Sequence, residues 1–162
     1  PITTISCCLL TAMLAGCGGG AEAQSTAKAT ADVLTGEEKL AAEQSPQCRL
    51  FKPAELAKYA GEPLGPGRVA AMGTGCQWLG RGDGSVLIQV VPARYHEPHK
   101  GSEGFRQLAD VGTRGFVEQG LGGWIAGAIT GQQAVVVSVS GKAVNDATAI
   151  ALLKETITRR SK

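Results

Sequence analysis

Few side chains in this 162-residue sequence are suited to chemistry: two histidines, five cysteines, two tryptophans and a scatter of carboxylates. Both histidines fall in His96-Glu97-Pro98-His99. Two imidazoles and a carboxylate can ligate a transition metal. Pro98, however, opposes the regular helix that would align them, and no nearby residue completes a tetrahedron. The run reads as a solvated loop, and neither a metal site nor a cofactor is expected. The patterns G-x-S-x-G, H-E-x-x-H, G-x-G-x-x-G and the phosphate-binding G-x-x-x-x-G-K are absent. No catalytic residue is therefore assigned. Trp78 and Trp124 are the largest apolar residues of the expected domain. Core packing is their ordinary use; the alternative is a ligand groove lined by one of them, which makes both candidate ligand-binding residues.

Three short patterns carry less than their spelling suggests. Arg81-Gly82-Asp83 is the tripeptide of integrin ligands, but it lies among Gly80, Gly82 and Gly84, where a hairpin turn needs such residues. Ser25-Thr26-Ala27-Lys28 matches the S-x-x-K of penicillin-binding enzymes without the partner motifs downstream. Gly123, Gly127 and Gly131 repeat every four residues, as in membrane helix pairs. Gln132, Gln133 and the β-branched run after them favour two strands instead.

The most specific pattern concerns attachment. Residues Ile5 to Ala15 are nearly all apolar or small, too short a run for a membrane span of about 20 residues but right for a signal segment. The run ends in Leu14-Ala15-Gly16-Cys17, which resembles the lipobox of bacterial lipoprotein precursors. The resemblance implies that the Cys17 thiol receives a diacylglyceryl group and that cleavage before it discards residues 1–16, with Cys7 and Cys8. Two or more acyl chains make a stable membrane anchor. The sequence starts at Pro1, so the charged front of the signal segment is expected to precede it. Residues 17–34 are small and polar and read as a lipidated flexible tether. As a coil they would span roughly 20–25 Å. Gly18 is not the aspartate that resembles an inner-membrane retention signal. The expected location is the cell membrane or outer membrane, facing away from the cytoplasm.

Export allows disulfides to persist. Cys48 and Cys76 flank a loop-rich region and read as one disulfide, with a loop-closure contribution of about 3.5 kcal/mol in the chain-entropy model.

The elements that must position these residues lie in residues 35–162, expected to form one α+β domain. Thr35 and Glu38 fit a capping box that opens a helix to Gln44. A second helix is expected from Pro53 to Tyr59, ended by Gly61. Gly61 to Gly75 reads as a loop. Cys76–Leu79 and Val86–Val91 read as a hairpin, and Gly123–Ile129 with Ala134–Ser140 as another. A helix is expected near Ser102 to Asp110, with Phe105, Leu108 and Ala109 as its apolar stripe. The last helix runs from about Asn145 to Arg159, with Ala147, Ile150, Leu153 and Ile157 on one face. Short links between paired strands imply an antiparallel sheet with helices packed on one face.

CRLFKPAELAKYAG followed by GCQWLG resembles a family of small bacterial lipoproteins of unknown function, common in actinobacteria. Cys48, Leu50, Pro53, Glu55, Gly75, Cys76 and Trp78 fit its pattern; Phe51 replaces a leucine, and Lys52 replaces a helix-capping threonine. The resemblance spans about residues 48 to 160 and implies no catalytic residue and no substrate.

Sixteen basic residues against 14 acidic ones leave a net charge of +2, without the concentrated basic patch of a nucleic-acid partner. The expected protein is a membrane-anchored lipoprotein whose domain binds a small ligand or an envelope protein partner. The alternatives are an envelope enzyme of unrecognised type and a structural or assembly lipoprotein.

Overall fold

The computed structural model describes residues 35–120 and 122–162. The expected signal segment, the tether and Cys17 lie outside the described residues. Three helices, α1 (Gly36–Gln44), α2 (Pro53–Ala60) and α3 (Asp146–Arg160), accompany seven strands. These are β1 (Arg68–Ala70), β2 (Gly75–Leu79), β3 (Ser85–Pro92), β4 (Arg106–Leu108), β5 (Thr113–Gly120), β6 (Gly123–Thr130) and β7 (Gln133–Ser140). They form one sheet in the order β1-β2-β3-β7-β6-β5-β4, antiparallel at every pairing. This is the expected α+β class.

Register explains the core. Cys76, Ile88, Val137, Ala126 and Val117 stand opposite one another across five strands, and all five are fully buried. Trp78, Val86, Val139 and Trp124 form the next row on the same face. Leu56 of α2 and Ala149, Leu152 and Leu153 of α3 pack into one cluster with these rows. Burying each large apolar side chain contributes about 1.5–3 kcal/mol, so this face holds the helices to the sheet.

Local chemistry sets the helix ends. The Glu38 backbone N–H donates to Thr35 Oγ1 at 3.2 Å, and the Thr35 N–H donates to Glu38 Oε2 at 2.8 Å. Lys52 has no capping side-chain oxygen, yet α2 starts at Pro53. The Glu55 carboxylate supplies the other half of the cap, accepting from the Lys52 N–H at 2.7 Å. Gly61 ends α2 in the left-handed region at φ 75°. Asn145 caps α3 by accepting from the Thr148 N–H at 3.0 Å.

Three expectations are corrected. The helix near Ser102 to Asp110 is absent: Gly104 adopts φ 65°, and Arg106–Leu108 pairs with β5 instead. The Gly61–Gly75 segment is not wholly loop, because Arg68–Ala70 pairs with β2 as an edge strand. The buried stripe of α3 runs through Ala149, Leu152, Leu153 and Thr156, while Ala147 faces solvent. Thr156 tolerates burial because its hydroxyl donates to the Leu152 carbonyl at 2.7 Å.

Candidate functional site

Cys48 and Cys76 are joined in a disulfide, as expected, with their Cα atoms 5.1 Å apart. The bond fixes the segment after α1 to β2, two residues before Trp78. Beside it opens a cleft of about 260 Å³. Lys39, Ala42 and Glu43 of α1 form one wall, Cys48 and Phe51 another, and Gly67 and Trp78 the base. Phe51 is buried, and its ring packs 4.0 Å from the Arg159 guanidinium carbon.

Trp78, which lines the cleft, carries an orphan donor. Trp78 is fully buried, and its Nε1 has no hydrogen-bond partner. A buried donor without an acceptor is destabilising by about 1–3 kcal/mol. Gly67 lies against that edge: a Cβ built there would sit 2.7 Å from Trp78 Nε1 and 2.9 Å from Cys76 Sγ. Only glycine lets the chain pass so close to the indole.

The two tryptophans are not brought together. They share a sheet row, but β3 and β7 lie between them. Trp124 is half-buried at the margin of the core. Its ring edge lies where a Cβ on Gly104 would come within 2.7 Å, and it does not line the Trp78 cleft.

The histidine loop differs from its expected solvation. His99 follows the expectation, with its side chain 81% exposed. His96 is buried: its Nε2 lies 3.1 Å from the Arg114 carbonyl, and its ring centroid lies 5.3 Å from that of Phe116. The loop therefore packs over the sheet face opposite the helices. Glu118, on that face of β5, is buried by it and accepts from the His99 backbone N–H at 3.1 Å. His99 Nδ1 lies 3.2 Å from the other carboxylate oxygen. Among the described residues, no three His, Cys, Asp or Glu side chains converge as metal ligands.

The Arg81-Gly82-Asp83 turn is held from within. Glu62 reaches into it, accepting from the Gly82 N–H at 2.9 Å and from the Gly84 N–H. Sequence reasoning assigned the turn but missed Glu62, which is separated from it by 20 residues.

A second polar cluster joins α2 to α3. Arg159 donates to Glu55 Oε1 at 2.8 Å, to Glu155 Oε1 at 2.6 Å and to the Leu50 carbonyl at 2.7 Å. The Tyr59 hydroxyl donates to Glu155 as well. The Arg159 hydrogen bond, with that from the Lys52 N–H, lowers the Glu55 pKa to about 2. The Tyr59 hydrogen bond is the largest cause lowering the Glu155 pKa. Burial, with the Glu155 carboxylate, raises that of Tyr59. Every polar group here is answered by another, so the cluster serves as a tie between helices.

Comparison of the chain with family models, with curated proteins and with solved structures gives no match. Among the described residues, no helix is long and apolar enough to cross a membrane. The Trp78 cleft, lined by Ala42, Phe51 and the disulfide together with Lys39, Glu43 and Arg49, is the candidate binding site.

Proposed function

We propose that this chain is a lipid-anchored extracytoplasmic protein whose domain binds a small, largely apolar ligand in the Trp78 cleft. The orphan Trp78 Nε1 donor carries the reading: Gly67 covers it in this structure, and a small shift of that segment would let a ligand oxygen or nitrogen accept this N–H and satisfy an unmet polar group. Apolar contact with Ala42, Phe51 and the disulfide accounts for the rest of the affinity. Leu14-Ala15-Gly16-Cys17 supports the location, since a lipobox cysteine is a site of lipid attachment. The disulfide fits an oxidising compartment. A small ligand is favoured over a protein partner because the site holds only about 260 Å³.

Nuclear magnetic resonance of the indole N–H groups tests the ligand reading. Cyclohexanone, a small apolar ketone with one acceptor, is the probe. The Trp78 Nε1–H resonance is expected to shift downfield and saturate while that of Trp124 stays still. Ala42→Leu, which fills the cleft, should abolish the shift and leave the rest of the spectrum folded. Equal or unsaturable shifts at both tryptophans would remove the Trp78 cleft as the binding site.

A further inference from the structure

A second cleft, of about 380 Å³, is lined by other residues of the segment pinned by the disulfide. Gln47 and Leu50 line it from that segment, Val90 and Gln133 from the ends of β3 and β7, and Arg159 and Arg160 from the end of α3. The two arginines differ in kind. Arg159 is neutralised by Glu55 and Glu155. Arg160 has no carboxylate in ion-pair range among the described residues; its guanidinium donates to the Gln133 amide oxygen at 2.5 Å. It is also partly withdrawn from water, and burial alone lowers its pKa from the ordinary guanidinium value. A guanidinium without a counter-charge leaves its donors open to an anion.

The amides beside Arg160 keep donors to spare. Gln133 accepts from Arg160 through its oxygen, which leaves its NH2 group as a donor. Gln47 accepts from the Ser45 hydroxyl at 3.2 Å, which leaves its NH2 group likewise. No acidic side chain lines the cleft, and Leu50 and Val90 give it an apolar wall. A guanidinium fork flanked by amide donors matches the oxygens of a carboxylate or phosphate.

We propose that this cleft is an anion site, in which Arg160 anchors the carboxylate or phosphate group of a small molecule whose apolar part rests on Leu50 and Val90. The site is separate from the Trp78 cleft, and the proposal does not depend on the one made there.

Titration of the full chain by nuclear magnetic resonance at constant ionic strength tests it, with inorganic phosphate, acetate and hexanoate as probes and chloride as the reference anion. Saturable shifts are expected at the Gln133 side-chain NH2 and the Val90 backbone N–H, in the millimolar range for phosphate or acetate. Hexanoate should bind about tenfold tighter than acetate if the apolar wall contributes; phosphate binding without that gain would assign the site to free anions. Arg160→Gln removes the charge at an accessible position and should weaken each binding event at least tenfold. Arg160→Lys should restore part of it. Trp78 Nε1–H should not respond. Shifts that fail to saturate, that match those in chloride, or that persist undiminished in Arg160→Gln would overturn the proposal.

Discussion

Two carboxylates from neighbouring helices, Glu55 of α2 and Glu155 of α3, meet on the single guanidinium of Arg159. Arg159 also stacks on Phe51, so one side chain links the helix pair to the wall of the Trp78 cleft. The acid response follows from Glu55, whose pKa falls to about 2 from the ordinary 4.5. A depressed folded-state pKa stabilises the fold fully above the unfolded value and loses that contribution as pH falls through the folded one. Urea midpoints should thus hold steady from pH 7 to about 5 and fall between roughly pH 4.5 and 2. Glu55→Gln should flatten that acid limb and leave the slope above pH 5 unchanged. Glu155, lowered chiefly by its bond from Tyr59, Glu38, lowered chiefly by the Thr35 N–H, Asp110, lowered chiefly by its bond to Lys154, and Asp146, lowered chiefly by its bond to Arg106, contribute to the remaining slope. Matching slopes in wild type and Glu55→Gln would show that the Arg159 tie is not felt in stability.

Among the elements, the disulfide decides how the first part of the domain meets the sheet. β1 is three residues long, at the edge of the sheet, and α1 packs against it. Such short elements bring little packing of their own. The covalent link from Cys48 to Cys76 closes a loop of sequence separation 28, for which the chain-entropy model gives about 3.5 kcal/mol. The double variant Cys48→Ala/Cys76→Ala should lose stability of this order in denaturant titration. Hydrogen exchange should accelerate first in α1 and β1 while β6 and β7 stay protected. Uniform acceleration over the whole sheet would mean that the disulfide stabilises the domain globally. The same locality explains what could be read in the sequence. The capping box at Thr35, the Gly61 stop and both hairpins were legible because each signal lies within a few residues. β5 was not, because Gly115 to Glu118 are buried on both faces; the His96 loop covers the outer one, so the alternation of a half-exposed strand is lost. Leu108 kept helical spacing with Phe105, but Gly104 and the pairing with Gly115 prevailed. Trp78 could be singled out by size. Its orphan N–H could not, since that depends on Gly67 arriving across the sheet edge.

At the scale of the whole molecule, Thr35 caps the helix that walls the Trp78 cleft, so the chain enters the domain beside its candidate ligand site. If Cys17 carries lipid as proposed, only residues 18–34 separate the bilayer from α1, and the cleft is held close to the membrane. A net charge of +2 spread over 162 residues gives little electrostatic membrane affinity by itself. Cys17→Ser should therefore abolish metabolic labelling by palmitate and move the protein from the membrane to the soluble fraction. It should leave the urea midpoint and the Trp78 response to cyclohexanone as in wild type. Retention on membranes with unchanged labelling would defeat the lipid-anchor proposal. Release accompanied by a lowered midpoint would instead show that the membrane contributes to the stability of the domain, because a purely tethering lipid adds no contact to the folded core.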